Sequence, residues 1–217
     1  MRTILILFLV FGSLTNTYAS KNQLVNFEKS TSVESQNDTK KAGEIKILLE
    51  NRDKQIKKLL GEEGSSYSDA QMNELKDIIN GIIDYDAMAK IALQETYDEI
   101  TVEQKNEFVE VFGTIIRDQS LAKLDIYRAS VNYESIEVEN SKAFVKTIAS
   151  LKEVKTPVSY NMEWKNKNWM ITDMQIDNVS TAESYQKSFQ GVIKKKGFDS
   201  LMKSLRKRAA RNSKKAD

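Results

Sequence analysis

The stretch NWMITDMQIDNVS, residues 168–180, alternates like a β-strand yet carries apolar side chains on both parities. Met170, Met174 and Ile176 share one parity with Thr172, whereas Trp169 and Ile171 precede Asp173, Gln175 and Asp177 on the other. Successive strand residues point to opposite faces, so at least one of these faces has to be dry. Methionine is an unusual choice for it, because its unbranched thioether adapts to its surroundings more readily than it sets a rigid core. Upstream, residues 130–139, 142–152 and 156–165 are similar runs rich in Val, Ile and Tyr, and 168–178 closes the series. Asn140-Ser141 and Asn166-Lys167 suit two-residue hairpin turns, which force neighbouring strands to run antiparallel. The single proline, Pro157, falls near a strand start, where a missing backbone donor is tolerated. The pattern predicts a four-stranded antiparallel meander. Val158, Tyr160, Met162 and Trp164 share a parity, and with Met170, Met174 and Ile176 they predict one broad apolar face.

Helical periodicity brackets this sheet. From Glu44 the apolar residues Ile45, Leu48, Leu49, Ile56, Leu59 and Leu60 follow a period of 3.6, and Gly61 is a natural stop. Ser68 with Gln71 resembles a capping box opening a second helix through Met72, Leu75, Ile78, Ile79 and Ile82. A short helix is expected from Asp84 to about Thr96. Thr101 with Gln104 opens a longer one carrying Phe108, Val111, Phe112, Ile115 and Ile116 on one face. After the strands, Ser180 with Glu183 starts a helix through Tyr185, Phe189, Val192 and Ile193. Beyond Gly197 a last helix carries Phe198, Leu201, Met202 and Leu205. Helices, then strands, then two C-terminal helices make an α+β fold, with the helices covering one side of the sheet.

Composition narrows the chemistry. Of 217 residues, 40% are hydrophobic and 29% charged, and there is neither His nor Cys. A Ser-His-Asp triad, a cysteine nucleophile and the common zinc sites are therefore unavailable. No P-loop, nucleophile elbow or dinucleotide fingerprint is present. No cofactor is expected. Asp84-Tyr85-Asp86 is a carboxylate pair, but it sits directly before an apolar helix, where an Asp caps free backbone amides. The N-terminus reads as a signal peptide over residues 1–19: Arg2, an apolar run from Ile4 to Leu14, then the small-residue site Thr17-Tyr18-Ala19. Residues 20–42 are polar and without periodicity, the signature of disorder. One domain is expected over 43–208, followed by a basic tail at 209–217.

Net charge is +2, but it is unevenly placed. From Gln190 to Asp217 there are ten Lys or Arg against two Asp, a local excess of +8. Lys194, Lys195, Lys196, Arg206, Lys207 and Arg208 are the candidate surface for an acidic partner or an anionic membrane. Aromatic residues are not interleaved with them, which argues against nucleic acid.

Several segments, in order, resemble the MlaC family, the periplasmic phospholipid-shuttle proteins of the maintenance-of-lipid-asymmetry pathway, also called toluene-tolerance proteins. DYDAMAKIAL (84–93), TVEQKNEFVEVF (101–112), VSYNM (158–162), NWMITDMQIDNVS (168–180) and SYQKSFQGVIKKKGFDSLMKSL (184–205) are similar to the family's motifs. The likeness covers roughly residues 44 to 208. Gln94 stands where the family has Gly, Gln119 where an aromatic is expected, Met170 where Lys follows the strand Trp, and Gln186 where Arg follows Asn-Tyr. The resemblance implies a monomeric periplasmic carrier, not an enzyme. It would hold a glycerophospholipid in an apolar pocket between sheet and helices and exchange it with an inner-membrane ABC transporter complex and an outer-membrane lipoprotein complex. Phe108, Phe112, Val158, Tyr160, Met162, Trp164, Met170, Met174, Ile176, Tyr185 and Phe189 are the residues expected to line that pocket. The alternative expectation is a non-lipid periplasmic binding module with an NTF2-like sheet, in which the apolar face is ordinary core.

Overall fold

A computed structural model describes residues 31–216, so the signal-peptide expectation lies outside the described residues. Helix α1 (Thr31–Leu60) starts well before Glu44, inside the stretch that lacks apolar periodicity. Helices α2 (Asp69–Asn80), α3 (Tyr85–Leu93), α4 (Glu95–Glu99) and α5 (Val102–Leu121) follow, then a 3-10 turn at Leu124–Arg128. The strands are β1 (Ser130–Glu139), β2 (Lys142–Leu151), β3 (Val154–Lys165), β4 (Asn168–Ile176) and β5 (Val179–Ser180). Helices α6 (Thr181–Lys196) and α7 (Phe198–Ala216) end the chain, and α7 runs through most of the segment read as a tail. No described helix is long and apolar enough to cross a membrane.

The fold is α+β, but the sheet has five strands, not four, in the order β1-β2-β3-β4-β5. The fifth arises because Asp177 and Asn178 both take left-handed conformations (φ 51° and 62°), reversing the chain in two residues. Asn and Asp tolerate that region best among non-glycine residues. Val179 and Ser180 then pair with Ile176 and Gln175, a strand too short to show any alternation. The Asn166-Lys167 turn is as the sequence predicts, with φ values of 52° and 63°.

Helix starts follow the local chemistry read from the sequence. Both capping boxes, Ser68/Gln71 and Thr101/Gln104, are formed. Asp84 caps α3, its carboxylate accepting the Ala87 amide at 3.0 Å, and its second oxygen pairs with Lys165 at 2.9 Å. The same segment joins the sheet edge, for the Ile171 amide donates to the Ile82 carbonyl and the Asp84 amide to that of Ile171.

The expected single helix from Asp84 to Thr96 is broken at Gln94, which has φ 50° and ψ −132°. That conformation suits glycine, the residue a family sequence would place there, because a Cβ is strained in it by about 1–3 kcal/mol. Gln94→Gly is therefore expected to raise stability by about 1 kcal/mol, read as a higher urea midpoint with unchanged slope. An unchanged or lower midpoint would mean that the side chain makes compensating contacts.

Candidate functional site

The inner face of the sheet is continuous only because two strands slip register. Between β3 and β4 the pairing runs Val158–Ile176, Tyr160–Met174, then shifts, so that Met162 meets Ile171 and Trp164 meets Trp169. The extra residue inverts side-chain direction along β4. Met170 consequently pairs with Glu163 and leaves the face on which parity alone would place it. Trp169 and Ile171 take its place. A second shift between Tyr133 and Ser135 does the same in β1, bringing Tyr133, Ile136 and Val138 onto the face with Thr147, Val145 and Ala143. In both strands the sequence carries a faint signal: apolar spacing widens from two residues to three, at Tyr133–Ile136 and at Ile171–Met174.

The two ends of this face differ. At the Met162 end, Ala143, Val145, Met162, Trp169 and Ile171 are buried with Ile45 of α1 and Ile82, and Leu48 and Leu49 pack against them. Trp164 lies beyond that closure. It is 46% exposed and meets Trp169 edge-on, with ring centroids 5.6 Å apart. At the other end Val158, Tyr160, Met174 and Ile176 remain half-buried.

Phenols gather there. Burial pushes the Tyr160 hydroxyl up to about 12 and Tyr127 up to about 12, and it raises Tyr133 as well. Tyr85, also at about 12, donates to the side-chain amide oxygen of Asn80 at 3.0 Å, and the Ser120 hydroxyl, which donates to the Arg117 carbonyl at 2.7 Å, lies 3.2 Å from the same Asn80 oxygen. Thr147 gives its proton to the Val158 carbonyl. Charged side chains border the phenols: Asp53 acts on Tyr160 and Tyr133, Lys46 lies 5.8 Å from the Tyr133 ring centroid, and Arg117 lies 5.1 Å from that of Tyr85. Sequence reasoning missed Tyr127, which precedes the sheet, and Tyr133, which lies in the first predicted strand, where the register shift hides which face it joins.

Phe108, Phe112, Tyr185 and Phe189 are brought together, but within the helical layer. Phe112 meets Phe108 at 5.3 Å, Tyr185 at 4.9 Å and Phe189 at 5.6 Å between centroids. Around them Met88, Leu93, Ile115, Leu201, Met202 and Leu205 are buried. The Tyr185 hydroxyl donates to Gln119 at 2.7 Å, a contact that an aromatic at 119 could not accept in this way.

The Met162 end of the face expected to line an enclosed pocket is covered. The reason lies in α1, whose Ile45, Leu48 and Leu49 rest directly on the sheet and close its Met162 end.

The polar groups near the site are structural. Asp173, 4% exposed, accepts the Ser180 hydroxyl at 2.6 Å and the Ala182 amide at 3.0 Å, so it anchors the start of α6 on β4. No group of three His, Cys, Asp or Glu side chains among the described residues could hold a metal. Of the basic candidates, Arg206 is committed to Glu107 through two bonds of 2.6 and 2.9 Å, and Arg208 sits against Tyr185. Lys194, Lys195, Lys196 and Lys207 are exposed and form no ion pair among the described residues.

The family model described as MlaC protein matches residues 50–207 of this chain. Among solved structures the chain is similar to a phospholipid-binding protein from Ralstonia solanacearum, determined in complex with a phospholipid. The two are 18% identical with a TM-score of 0.64, over 78% of this chain and 96% of that one, a likeness of fold. No curated protein matches the chain.

Proposed function

Since this chain belongs to the MlaC family, we propose that it is a phospholipid carrier, exported by its N-terminal segment and working in the periplasm. It takes a glycerophospholipid from one membrane system and delivers it to the other, exchanging with an ABC transporter complex at the inner membrane and a lipoprotein complex at the outer membrane. The acyl chains lie along the half-buried part of the sheet face, between Val158, Tyr160, Met174 and Ile176 and the helices opposite. It acts as a binding and transport protein, without catalysis.

The observation that carries this reading is the half-buried apolar end of an otherwise closed sheet face, at Val158, Met174 and Ile176. Each CH₂ kept from water is worth about 0.8 kcal/mol, so two chains of about fifteen carbons represent on the order of 20 kcal/mol. Only an extended apolar surface offsets that. Methionine at 174 suits chains of differing length and unsaturation.

The test is native mass spectrometry of protein taken from its own periplasm without detergent. About one phospholipid per chain is expected, on a polypeptide beginning at or near Ser20. Protein that carries no lipid under these conditions would favour a non-lipid module with an NTF2-like sheet. A retained leader found in the membrane fraction would overturn the exported, soluble state.

A further inference from the structure

The cleft between α6 and α7 lies in the helical layer, outside the sheet face proposed to hold cargo. It is an open groove of about 630 Å³, lined by Lys195 and Lys196 from the end of α6 and by Lys203 and Lys207 from α7, with Ser200 and Ser204 between them. Its shape comes from Gly197, whose φ of 79° turns the chain between the two helices. At Gly191 nothing lies within 4 Å of where a Cβ would stand, so one wall is open.

Four like charges in one cleft repel each other unless a counter-charge is supplied. No described residue supplies it through an ion pair. All four lysines are exposed, and none forms an ion pair among the described residues. Of the nearby carboxylates, Glu107 holds Arg206, and Asp199, one turn before Lys203 on α7, forms no ion pair with any of the four. The Ser200 hydroxyl is also occupied, donating to the Lys196 carbonyl at 2.8 Å.

We propose that this cleft docks the protein on an anionic bilayer, the lysines meeting the phosphate-bearing head groups of several lipids. The four lysines come from two helices and all are exposed, so together they make an open basic surface. Lysine is a hydrated point charge suited to a diffuse anionic surface, whereas close single-anion recognition uses forked guanidinium groups and backbone amides. Attraction of this kind reaches about 8 Å at physiological salt. Docking and cargo holding therefore belong to different layers of the molecule.

The experiment is co-sedimentation of the full chain with phosphatidylcholine vesicles that contain or lack phosphatidylglycerol. Wild-type protein is expected to bind only the anionic vesicles. Changing Lys195, Lys196, Lys203 and Lys207 together to Gln should weaken that binding by about a hundredfold, because each basic residue near an anionic surface contributes severalfold. Removing equal charge elsewhere, through Lys54, Lys142, Lys155 and Lys167→Gln, should weaken it far less. Equal losses for the two variants would reduce the effect to net charge and overturn the proposal. Wild-type protein that ignores anionic vesicles would overturn it in favour of an acidic protein partner. Complete competition by inorganic phosphate at constant ionic strength would overturn it in favour of a single-anion site. Thermal unfolding confirms that both variants are folded, and lipid extraction counts cargo separately. Absent cargo would remove the carrier reading without touching the docking result, and lost docking with cargo retained would do the reverse.

Discussion

Phe112→Ala should lower stability by about 3–5 kcal/mol and leave the amount of phospholipid per folded chain unchanged. Phe112 is fully buried and touches three other rings, all of them on helices. Truncation removes the ring's transfer free energy and leaves a space that Phe108, Tyr185 and Phe189 cannot fill without losing their edge-to-face contacts. Urea unfolding gives the first quantity and lipid extraction from the folded fraction the second. The opposite outcome, near-normal stability with lost lipid, would move the ligand into the aromatic cluster, which is where the family resemblance taken residue by residue would put it.

At Met174 the balance should reverse. Met174→Asp is expected to cut lipid occupancy at least tenfold, because an unpaired carboxylate facing acyl chains must be either desolvated or protonated at a cost of several kcal/mol. Its loss of stability should be smaller than that of Phe112→Ala, since Met174 is only half-buried and water reaches it in the empty protein. Met174→Trp provides a second reading without charge: it fills the space above Tyr160, keeps the sheet apolar and should also exclude lipid. Lipid per chain, measured after purification without detergent, decides both. Occupancy equal to wild type in the two variants would show that the Tyr160 end of the sheet does not hold the ligand.

Legibility followed the range of the interaction. The capping boxes at Ser68 and Thr101, the Asp84 cap and the Asn166-Lys167 hairpin are made by residues within a few positions of each other, and each was readable beforehand. The break at Gln94 was not, because nothing in a Gln announces a left-handed backbone. Asp173 looked like one polar residue among several on the less apolar parity of its strand. Its task is to anchor a helix that starts eight residues later, in space that only the β4–β5 hairpin creates.

By itself, then, the sequence determined the kinds of element, their order and the absence of His and Cys chemistry, because period, caps and composition are local properties of the chain. The tertiary structure alone decided which side chains share a face and which charges are free. A single extra residue at the shift between Asn161 and Met162 exchanges Met170 for Ile171 and Trp169 on the inner wall. Pairing between distant segments likewise commits Arg206 to Glu107 while leaving Lys195 and Lys207 in an open cleft. Strand parity is a running count, so one inserted residue inverts everything after it. Whether that insertion is accepted depends on the neighbouring strand and the packed helix, neither of which is encoded nearby.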